Sequence, residues 1–393
     1  MIDALIHAPR RALRVFWLAL ALAGCGGDVD SGGTGSPVFA SGTITGFGSV
    51  IVGGVHFDDS RASVTDADGS VRSRDDLRLG MTTDVRGSAV GTDATGATIS
   101  TASSIAFGSA VVGPIASRDL AAARLVVLGQ SIDIVATTVF DDVSVGGGLS
   151  ALALGDVVEV YALLDAASGH YTATRIERKT AVTSFVLSGV VSQFDAATRA
   201  LSIGTERISY AAFGGILPAA LGNGSIVRVR VGATQVAGVW QATTLGDGVQ
   251  RPLDRDDVRL EGLVSAFVSA TQFSVDGVVV DASAVNPAGV ALGVRVEVDG
   301  TAQGGVLVAS KVEVKNAGGG SGNGQDFELR GLVASSDPAT LSFVIRGVTI
   351  VYSASTEFKD GTAAGLTVGA NVDVRGTLSP DGTRVLATRI TFR

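Results

Sequence analysis

Cysteine and histidine are nearly absent from this chain, which has one cysteine and three histidines in 393 residues. The single cysteine, Cys25, cannot form an intrachain disulfide, so a disulfide-stabilised fold is excluded. Zinc sites use cysteine or clustered histidine, and His7, His56 and His170 are far apart in the sequence. The scarcity of both residue types therefore argues against a zinc centre.

Aromatic residues and lysine are also scarce. Aromatics make up 5% of the chain while hydrophobic residues make up 46%, so the cores must consist mainly of aliphatic side chains. Four lysines and a formal net charge of −8 leave no clustered cations to neutralise phosphates, so nucleic acid is not an expected partner. Proline occurs 8 times and glycine 53 times, a balance typical of an all-β protein with many turns.

The N-terminus has the pattern of a secretory signal peptide. A cationic cluster ends at Arg14, and residues 15–23 (VFWLALALA) form an apolar run that is too short to span a bilayer. Small residues follow directly. Removal of residues 1–24, which carry three arginines and one aspartate, changes the formal net charge of the remaining chain to −10.

The tetrad at the end of this segment resembles a bacterial lipobox. It consists of Leu22, Ala23, Gly24 and Cys25. The resemblance implies that Cys25 carries a diacylglyceryl lipid and becomes the first residue of the mature chain, a reaction that needs a nucleophilic thiolate. The alternative is an ordinary signal peptide with an incidental cysteine. Because Gly26 stands where aspartate favours the inner membrane, the resemblance implies outer-membrane attachment, facing the periplasm, with surface display left open.

A short phrase recurs five times along the rest of the chain. A leucine or valine followed by glycine opens a run of alternating apolar and polar residues, and an Ala-x-x-apolar tetrad closes it about twenty residues later. The openings are Leu79-Gly80, Leu154-Gly155, Leu221-Gly222, Leu292-Gly293 and Val368-Gly369, and the closings begin at Ala102, Ala173, Ala242, Ala309 and Ala387. The period of two predicts strands with one buried face and one wet face.

Each repeat contains five strand-like segments, with an irregular link before the fourth. This pattern predicts an all-β fold, a tandem array of five small OB-like five-stranded β-barrels, with small β-sandwiches as the alternative. The predicted boundaries are a signal peptide at 1–24, a lipidated cysteine and flexible tether at 25–37, β-domains at 38–107, 108–181, 182–248, 258–316 and 327–393, a connector at 249–257 and a Gly/Ser linker at 317–326. Short junctions suggest that units one to three form a stiff rod, with units four and five hinged more loosely.

The N-terminal phrase ITGFGSVIVGGVHFDD, the repeated LG-x-x-V-x-V and A-x-x-I signatures and the lipobox together resemble a family of proteobacterial lipoproteins. Those proteins consist of tandem copies of a small β-domain of unknown function. The resemblance extends over nearly the whole mature chain and is strongest in the first unit. It carries no established activity, so no catalytic residue can be transferred from it.

Acidic turns offer weak candidates for a metal site. Asp66, Asp68 and Asp75 partly match a calcium-binding loop, but Val64 occupies the first ligand position and cannot ligate. A polar hairpin turn is therefore the favoured interpretation. The segment Gly46-Phe47-Gly48 lacks the third glycine and the lysine of a phosphate-binding loop, and we interpret it as a turn.

Catalytic signatures are weaker still. His56 on a strand and His170 in a turn are the only histidines of the predicted mature chain, and no G-x-S-x-G motif accompanies them. Trp240 precedes a closing tetrad, and we expect it in a core rather than on a sugar-binding surface.

These observations predict a non-enzymatic, lipid-anchored protein that binds, scaffolds or spaces components of the envelope. It needs no cofactor beyond the lipid on Cys25, its partners are the membrane and an envelope protein or polysaccharide, and nucleic acid is excluded. The alternative is a module that binds envelope polysaccharide or a divalent cation, and a more remote one is an envelope hydrolase.

Overall fold

The computed structural model describes residues 36–94, 96–166, 168–248, 252–254, 256–315 and 327–393. Residues 35–393 group into one compact unit. The described part of the chain consists of strands, turns and three short 3₁₀ segments, Arg74–Asp76, Gly148–Ala151 and Ala363–Gly365. Within it, no helical segment has the length and hydropathy needed to cross a bilayer.

In the described part of the chain, thirty-one strands form five successive β-barrels, numbered here 1 to 5. Barrel 1 contains β1 (Val38–Phe47), β2 (Val50–Val52), β3 (Val55–Asp58), β4 (Ser63–Asp66), β5 (Val71–Arg72), β6 (Thr82–Gly87), β7 (Gly91–Thr92) and β8 (Thr98–Phe107). Barrel 2 contains β9 (Val111–Asp119), β10 (Arg124–Val127), β11 (Gln130–Asp133), β12 (Val139–Phe140), β13 (Val157–Asp165) and β14 (His170–Arg178). Barrel 3 contains β15 (Ser184–Asp195), β16 (Ala200–Ile203), β17 (Glu206–Ser209), β18 (Ile226–Gly232) and β19 (Trp240–Asp247).

The last two barrels have the same order of strands. Barrel 4 contains β20 (Asp257–Ser269), β21 (Gln272–Val275), β22 (Val278–Asp281), β23 (Arg295–Gln303) and β24 (Val306–Val314). Barrel 5 contains β25 (Phe327–Leu332), β26 (Ser335–Asp337), β27 (Ser342–Ile345), β28 (Val348–Val351), β29 (Glu357–Lys359), β30 (Asn371–Leu378) and β31 (Val385–Phe392).

Every barrel closes in the same way. In barrel 4, β20 pairs antiparallel with both β21 and β23, β21 pairs with β22, β22 runs parallel to β24, and β24 completes the ring with β23. The order of main strands around the ring is therefore 1-2-3-5-4, with one parallel pair between the third and fifth strands. This closed arrangement confirms the predicted array of OB-like barrels.

Alternation along the strands separates the barrel interiors from their outer faces. In β18, Val227, Val229 and Val231 are fully buried, whereas Arg228 and Arg230 point outward. The cores also continue from barrel to barrel. One buried cluster joins barrels 1 and 5, another joins barrels 2 and 3, and the cluster of barrel 4 includes Phe39 from β1.

Barrel 1 is joined directly to barrels 4 and 5 by backbone pairing. The start of β1 runs parallel to β20, with Val38 opposite Asp257, and its end runs parallel to β25, with Phe47 opposite Leu329. Barrels 2 and 3 pair through β9 and β15. The predicted rod of units one to three with two hinged units is therefore wrong, because β1 uses its free backbone edge to bind the two units that are most distant in sequence.

The first leucine-glycine phrase forms a further junction, between barrels 1 and 2. Leu79 is fully buried, and its carbonyl oxygen accepts a 3.1 Å hydrogen bond from the buried guanidinium of Arg175. A side chain at Gly80 would press against the carbonyl oxygen of Thr174. The corresponding Leu154 and Val368 are exposed. The leucine-glycine motif is therefore buried only where another barrel packs against it.

Gly46 lets barrel 5 approach barrel 1. It lies within β1 opposite Glu328 of β25, and a Cβ atom there would be much closer to the Glu328 carbonyl oxygen than van der Waals contact allows. Gly48 has a φ of 131° and faces Arg330 of the same neighbour. The interpretation as a turn thus holds for Gly48 but is wrong for Gly46, which is a strand residue at the point where β25 lies closest to β1.

We predict that Gly46→Ala separates β1 from β25 and lowers the free energy of unfolding by about 1–3 kcal/mol, the usual cost of overpacking. Hydrogen exchange should show faster exchange at β25, and thermal unfolding should occur at lower temperature. Gly91→Ala is the matched control, because a Cβ at that strand glycine meets Ile99 at an ordinary 3.8 Å. Equal protection of β25 in both variants would contradict the assigned role of Gly46.

Candidate binding cavity

Barrels 1 to 4 enclose a partly open cavity of about 190 Å³ at their junction. Barrel 1 contributes β1 and β6, barrel 2 contributes Leu163 of β13, and barrel 3 contributes Arg228 of β18. Barrel 4 contributes Glu261 of β20 and Asp276 of the turn that follows β21. Because four barrels contribute to its lining, the cavity exists only where these barrels meet.

Asp84 is the acidic group that barrel 1 presents to this cavity. It occupies an outward position of β6, between the buried Thr83 and Val85, and lies directly opposite Ser41 on β1. In an isolated barrel this face would be wet. Here the pairing of β1 with β20 places barrel 4 against it, so the carboxyl group is withdrawn from bulk water.

Asp276 is the acidic group that barrel 4 presents. It lies in the turn between β21 and β22 with a φ of 46°, and its backbone N–H donates a 3.1 Å hydrogen bond to the carbonyl oxygen of Leu263. Its side chain packs against Gly262 of β20, where a Cβ atom would collide with the carboxylate. The Oδ1 atom of Asp276 is buried and has no hydrogen-bond partner.

Burial raises the pKa of both carboxyl groups. The pKa of Asp84 rises to about 6, because desolvation outweighs the Ser41 hydroxyl and the charge of Arg86. The pKa of Asp276 rises to about 8, again chiefly through desolvation, with repulsion from Asp84 and Glu261 acting in the same direction. The backbone N–H of Leu263 and the charge of Arg295 oppose this rise without cancelling it. Near neutral pH, Asp276 therefore holds its proton while Asp84 is largely ionised.

Several other charged groups around the cavity are paired. Glu261 lies 2.8 Å from the guanidinium of Arg295, and Arg86 lies 2.7 Å from Asp256. Arg228 reaches across from barrel 3, lies 3.4 Å from Asp68 of barrel 1, and donates to the Ser109 carbonyl oxygen. These contacts hold the cavity walls together, and among the described residues no ion pair is formed by the lining carboxyl groups of Asp84, Asp247 and Asp276.

A second, larger cleft between barrels 1, 2 and 3 has a different character. It is lined by charges of both signs, and these are engaged with one another. Arg72 lies 2.6 Å from Asp66, and Lys179 lies 2.8 Å from Glu159 and 3.5 Å from Glu177. These ion pairs lie within barrel 1 and within barrel 2, and the pairs of Arg228 and Arg230 with Asp68 connect barrel 3 to barrel 1.

The structure gives the weak metal candidates other partners. One oxygen of Asp66 accepts the backbone N–H groups of Asp68 and Ser70, and the other pairs with Arg72. The carboxylate of Asp68 pairs with Arg228 and with a second arginine of barrel 3, Arg230. Asp75 lies in the 3₁₀ segment Arg74–Asp76, where its backbone N–H donates to the Ser73 hydroxyl. Among the described residues, no three acidic, histidine or cysteine side chains are placed to hold a metal ion.

The histidines and the tryptophan lie away from the cavity. The Nδ1 atom of His56 is 3.4 Å from Ser49 Oγ in barrel 1, and that of His170 is 3.9 Å from Asp133 in barrel 2. They belong to different barrels and do not form a common site. Trp240 is buried and meets the ring of Phe185 edge-on, so its predicted core position is confirmed.

The residues of the proposed anchor, Leu22, Ala23, Gly24 and Cys25, lie outside the described residues, as do the tether up to residue 35 and the linker at 317–326.

Sequence reasoning missed Asp84, Glu261 and Asp276. Asp84 could have been identified by comparing the residues that lie opposite the equivalent aspartates in different repeats. In barrel 5 the same D-V-R-G sequence places Asp373 opposite Arg330, and the two lie 3.4 Å apart. In barrel 1 the partner opposite Asp84 is Ser41, which brings no charge. An aspartate without its cross-strand cation could therefore have been identified once the repeats were aligned.

The fold and the cavity define the class of protein, a tandem OB-like barrel array with an acidic junction. A family model described as a domain of unknown function (DUF5666) matches residues 112–177, 261–313 and 330–391. These segments lie in barrels 2, 4 and 5, so the chain is similar to that domain in three separate repeats. The predicted resemblance to a domain of unknown function is thus supported, although the matched segments do not include the first unit. A comparison with curated proteins finds no match.

Because the pKa of Asp276 is raised, the free energy of unfolding should decrease as pH rises. An unfolded aspartate loses its proton near pH 3.8, whereas folded Asp276 keeps its proton up to about pH 8. Between these values the folded state binds more protons, so the free energy of unfolding falls as pH rises, by up to about 1.4 kcal/mol per pH unit. Asp84 adds the same trend between pH 3.8 and about pH 6.

We predict that Asp276→Asn raises the free energy of unfolding at about pH 8 and flattens its slope between about pH 6 and pH 8. Asparagine stays neutral and tolerates the left-handed backbone of this turn. Thermal unfolding at several pH values measures the change. Asp337→Asn is the control, because it removes an exposed carboxylate that accepts hydrogen bonds from Ala339 and Thr340. In this variant the dependence of the unfolding free energy on pH between about pH 6 and pH 8 should remain. An unchanged slope in Asp276→Asn would show that this carboxyl group titrates normally.

Proposed function

We propose that this chain is a lipid-anchored, non-enzymatic protein of the cell envelope, in which five barrels form a scaffold around a ligand-binding cavity. The observation that carries the proposal is the convergence of four barrels on one acidic cavity. The bonds between barrels support a scaffold of fixed geometry, because parallel pairing and buried clusters join distant units. A spacer of independently hinged units would not need these contacts.

The anchor in this proposal is the cysteine of the lipobox-like tetrad. Cys25 carries the lipid, residues 26–37 form the tether, and the barrels face the periplasm from the outer membrane. The proposal is supported by the register of the cationic cluster, the apolar run and the tetrad. Two or more acyl chains meet the requirement for stable membrane attachment. The resemblance to proteobacterial lipoproteins, drawn from the repeats and the tetrad, agrees with this role.

We predict that the envelope-localised protein begins at Cys25 and carries diacylglycerol on its thiol. Mass spectrometry of the purified protein should find the lipid-modified N-terminal peptide, and membrane fractionation should place the protein with the outer membrane. Cys25→Ser is the matched control, since it keeps the signal sequence but cannot form a thioether; we expect unprocessed precursor. An unmodified Cys25, or a mature N-terminus elsewhere, would contradict the anchor without affecting the cavity.

One observation favours an envelope hydrolase as a second candidate. Two carboxyl groups with different raised pKa values face the same cavity, and such a pair can divide the roles of acid and base between its members. The binding role is better supported, because the pair lies at a junction where each carboxyl comes from a different barrel and neither histidine is nearby. The two roles are separable by experiment.

We predict that the full chain releases no new reducing ends or amines from purified envelope polysaccharide over long incubation. The double variant Asp84→Asn and Asp276→Asn should give the same background. Release that occurs with the wild-type chain and disappears in the double variant, with folding confirmed by circular dichroism, would replace the binding function with a hydrolase. Binding of the polysaccharide without cleavage would support the binding role.

A further inference from the structure

We propose that the cavity between barrels 1 and 4 binds a small organic ammonium compound, with its charged nitrogen held between Asp84 and Asp276. The inference deepens the binding function proposed above and rests on it. It assigns a ligand class to a site at which four barrels meet.

The first argument is the charge of the lining. The described residues that line the cavity include four carboxylate side chains, Asp84, Asp247, Glu261 and Asp276, and one guanidinium, that of Arg228. Arg228 is engaged with Asp68, and Glu261 is engaged with Arg295. Near neutral pH the ionised Asp84 favours a cation and disfavours an anionic ligand, and ionisation of Asp276 strengthens this preference.

The second argument is the unpartnered oxygen of Asp276. Its Oδ1 atom is buried and accepts no hydrogen bond. Buried polar atoms are almost always satisfied, so this unpartnered oxygen leaves a place for a hydrogen-bond donor when Asp276 is ionised. An ammonium group supplies several N–H donors from one small centre, and both Asp276 and Asp84 line the cavity that it would enter.

The third argument excludes a bare metal ion as the matching cation. Divalent calcium takes six to eight oxygen ligands, and magnesium demands a near-octahedral set. In the described part of the chain, no group of three acidic or histidine side chains has the geometry to hold a metal. The carboxyl groups of Asp84 and Asp276 are better suited to a donor of hydrogen bonds than to a closed coordination shell.

The fourth argument concerns the remainder of the ligand. Leu163, Leu260 and Val278 provide apolar walls, while Ser41 and Ser188 provide hydroxyl groups. A cavity of about 190 Å³ is larger than the apolar cavity of about 150 Å³ that accommodates benzene. The cavity therefore fits an amine with a short carbon chain or ring and one or two polar substituents.

Binding of such a cation is coupled to release of a proton. The groups that face the pair are Ser41 of β1, Arg86 of β6, Glu261 of β20, Arg295 of β23, and Arg228 and Asp247 of barrel 3. With Asp276 protonated near neutral pH, an arriving ammonium ion displaces the carboxyl proton to solvent and leaves a carboxylate. Affinity should then rise with pH by up to about tenfold per pH unit until Asp276 is ionised.

The test is isothermal titration of the full chain, purified in detergent, with 1,4-diaminobutane and with its neutral analogue butane-1,4-diol. Between about pH 6 and pH 8, we expect the diamine to bind more tightly as pH rises, by up to about tenfold per unit, and to release protons into buffers of different ionisation enthalpy. Asp276→Asn and Asp84→Asn should each weaken binding at least tenfold, while Asp337→Asn, far from the cavity on β26, should leave it unchanged.

Several outcomes would overturn the inference. Equal binding of the diol would assign the cavity to neutral hydroxylated ligands, and would leave the proposed binding function standing. Binding of calcium chloride that is lost in the same two variants would assign it to a metal. Binding of neither organic compound at millimolar concentration, with Asp276→Asn folded and more stable, would make the carboxyl pair a structural feature and would remove support for the binding cavity itself.

Discussion

The structure depends on how the first strand of barrel 1 satisfies its backbone hydrogen bonds. The first half of β1 has β6 on one side and β20 on the other, and its second half lies between β2 and β25. A barrel that closed on itself completely would leave no edge for a neighbour. Because β1 is long and changes partners along its length, one strand joins three barrels, and their outer faces become interior surfaces.

That change of environment creates the chemistry of the cavity. Outward positions of a strand are compatible with charge when they face water, and the repeats place acidic and basic residues there. Where two barrels meet, the same positions lose their hydration, and the pKa values of Asp84 and Asp276 rise. Pairs such as Glu261 with Arg295 remain compensated. The site therefore arises from residues that are individually ordinary for a barrel surface.

The sequence predicted the unit but not the assembly. The period-two pattern in segments such as Val227 to Val231 follows directly from strand geometry, which is why five OB-like barrels could be predicted. The contact of β1 with β20 could not be predicted, because backbone hydrogen bonds between two strand edges require no particular side-chain pattern in either strand. The same limit applies to Gly46, whose need for close approach depends on a neighbour that lies some 280 residues further along the chain.

The contrast between barrels 1 and 5 argues that the cavity belongs to this arrangement rather than to the repeat. Both barrels carry D-V-R-G in the fourth strand of the ring, and in barrel 5 the aspartate, Asp373, pairs with Arg330 and Arg393. In barrel 1 the cross-strand position is Ser41, and Asp84 lines the same cavity as Asp276 of barrel 4. An arginine at position 41 would neutralise Asp84 within its own barrel and fill the cavity. A small uncharged residue there keeps both the space and the negative charge, which is the combination that a cationic ligand requires.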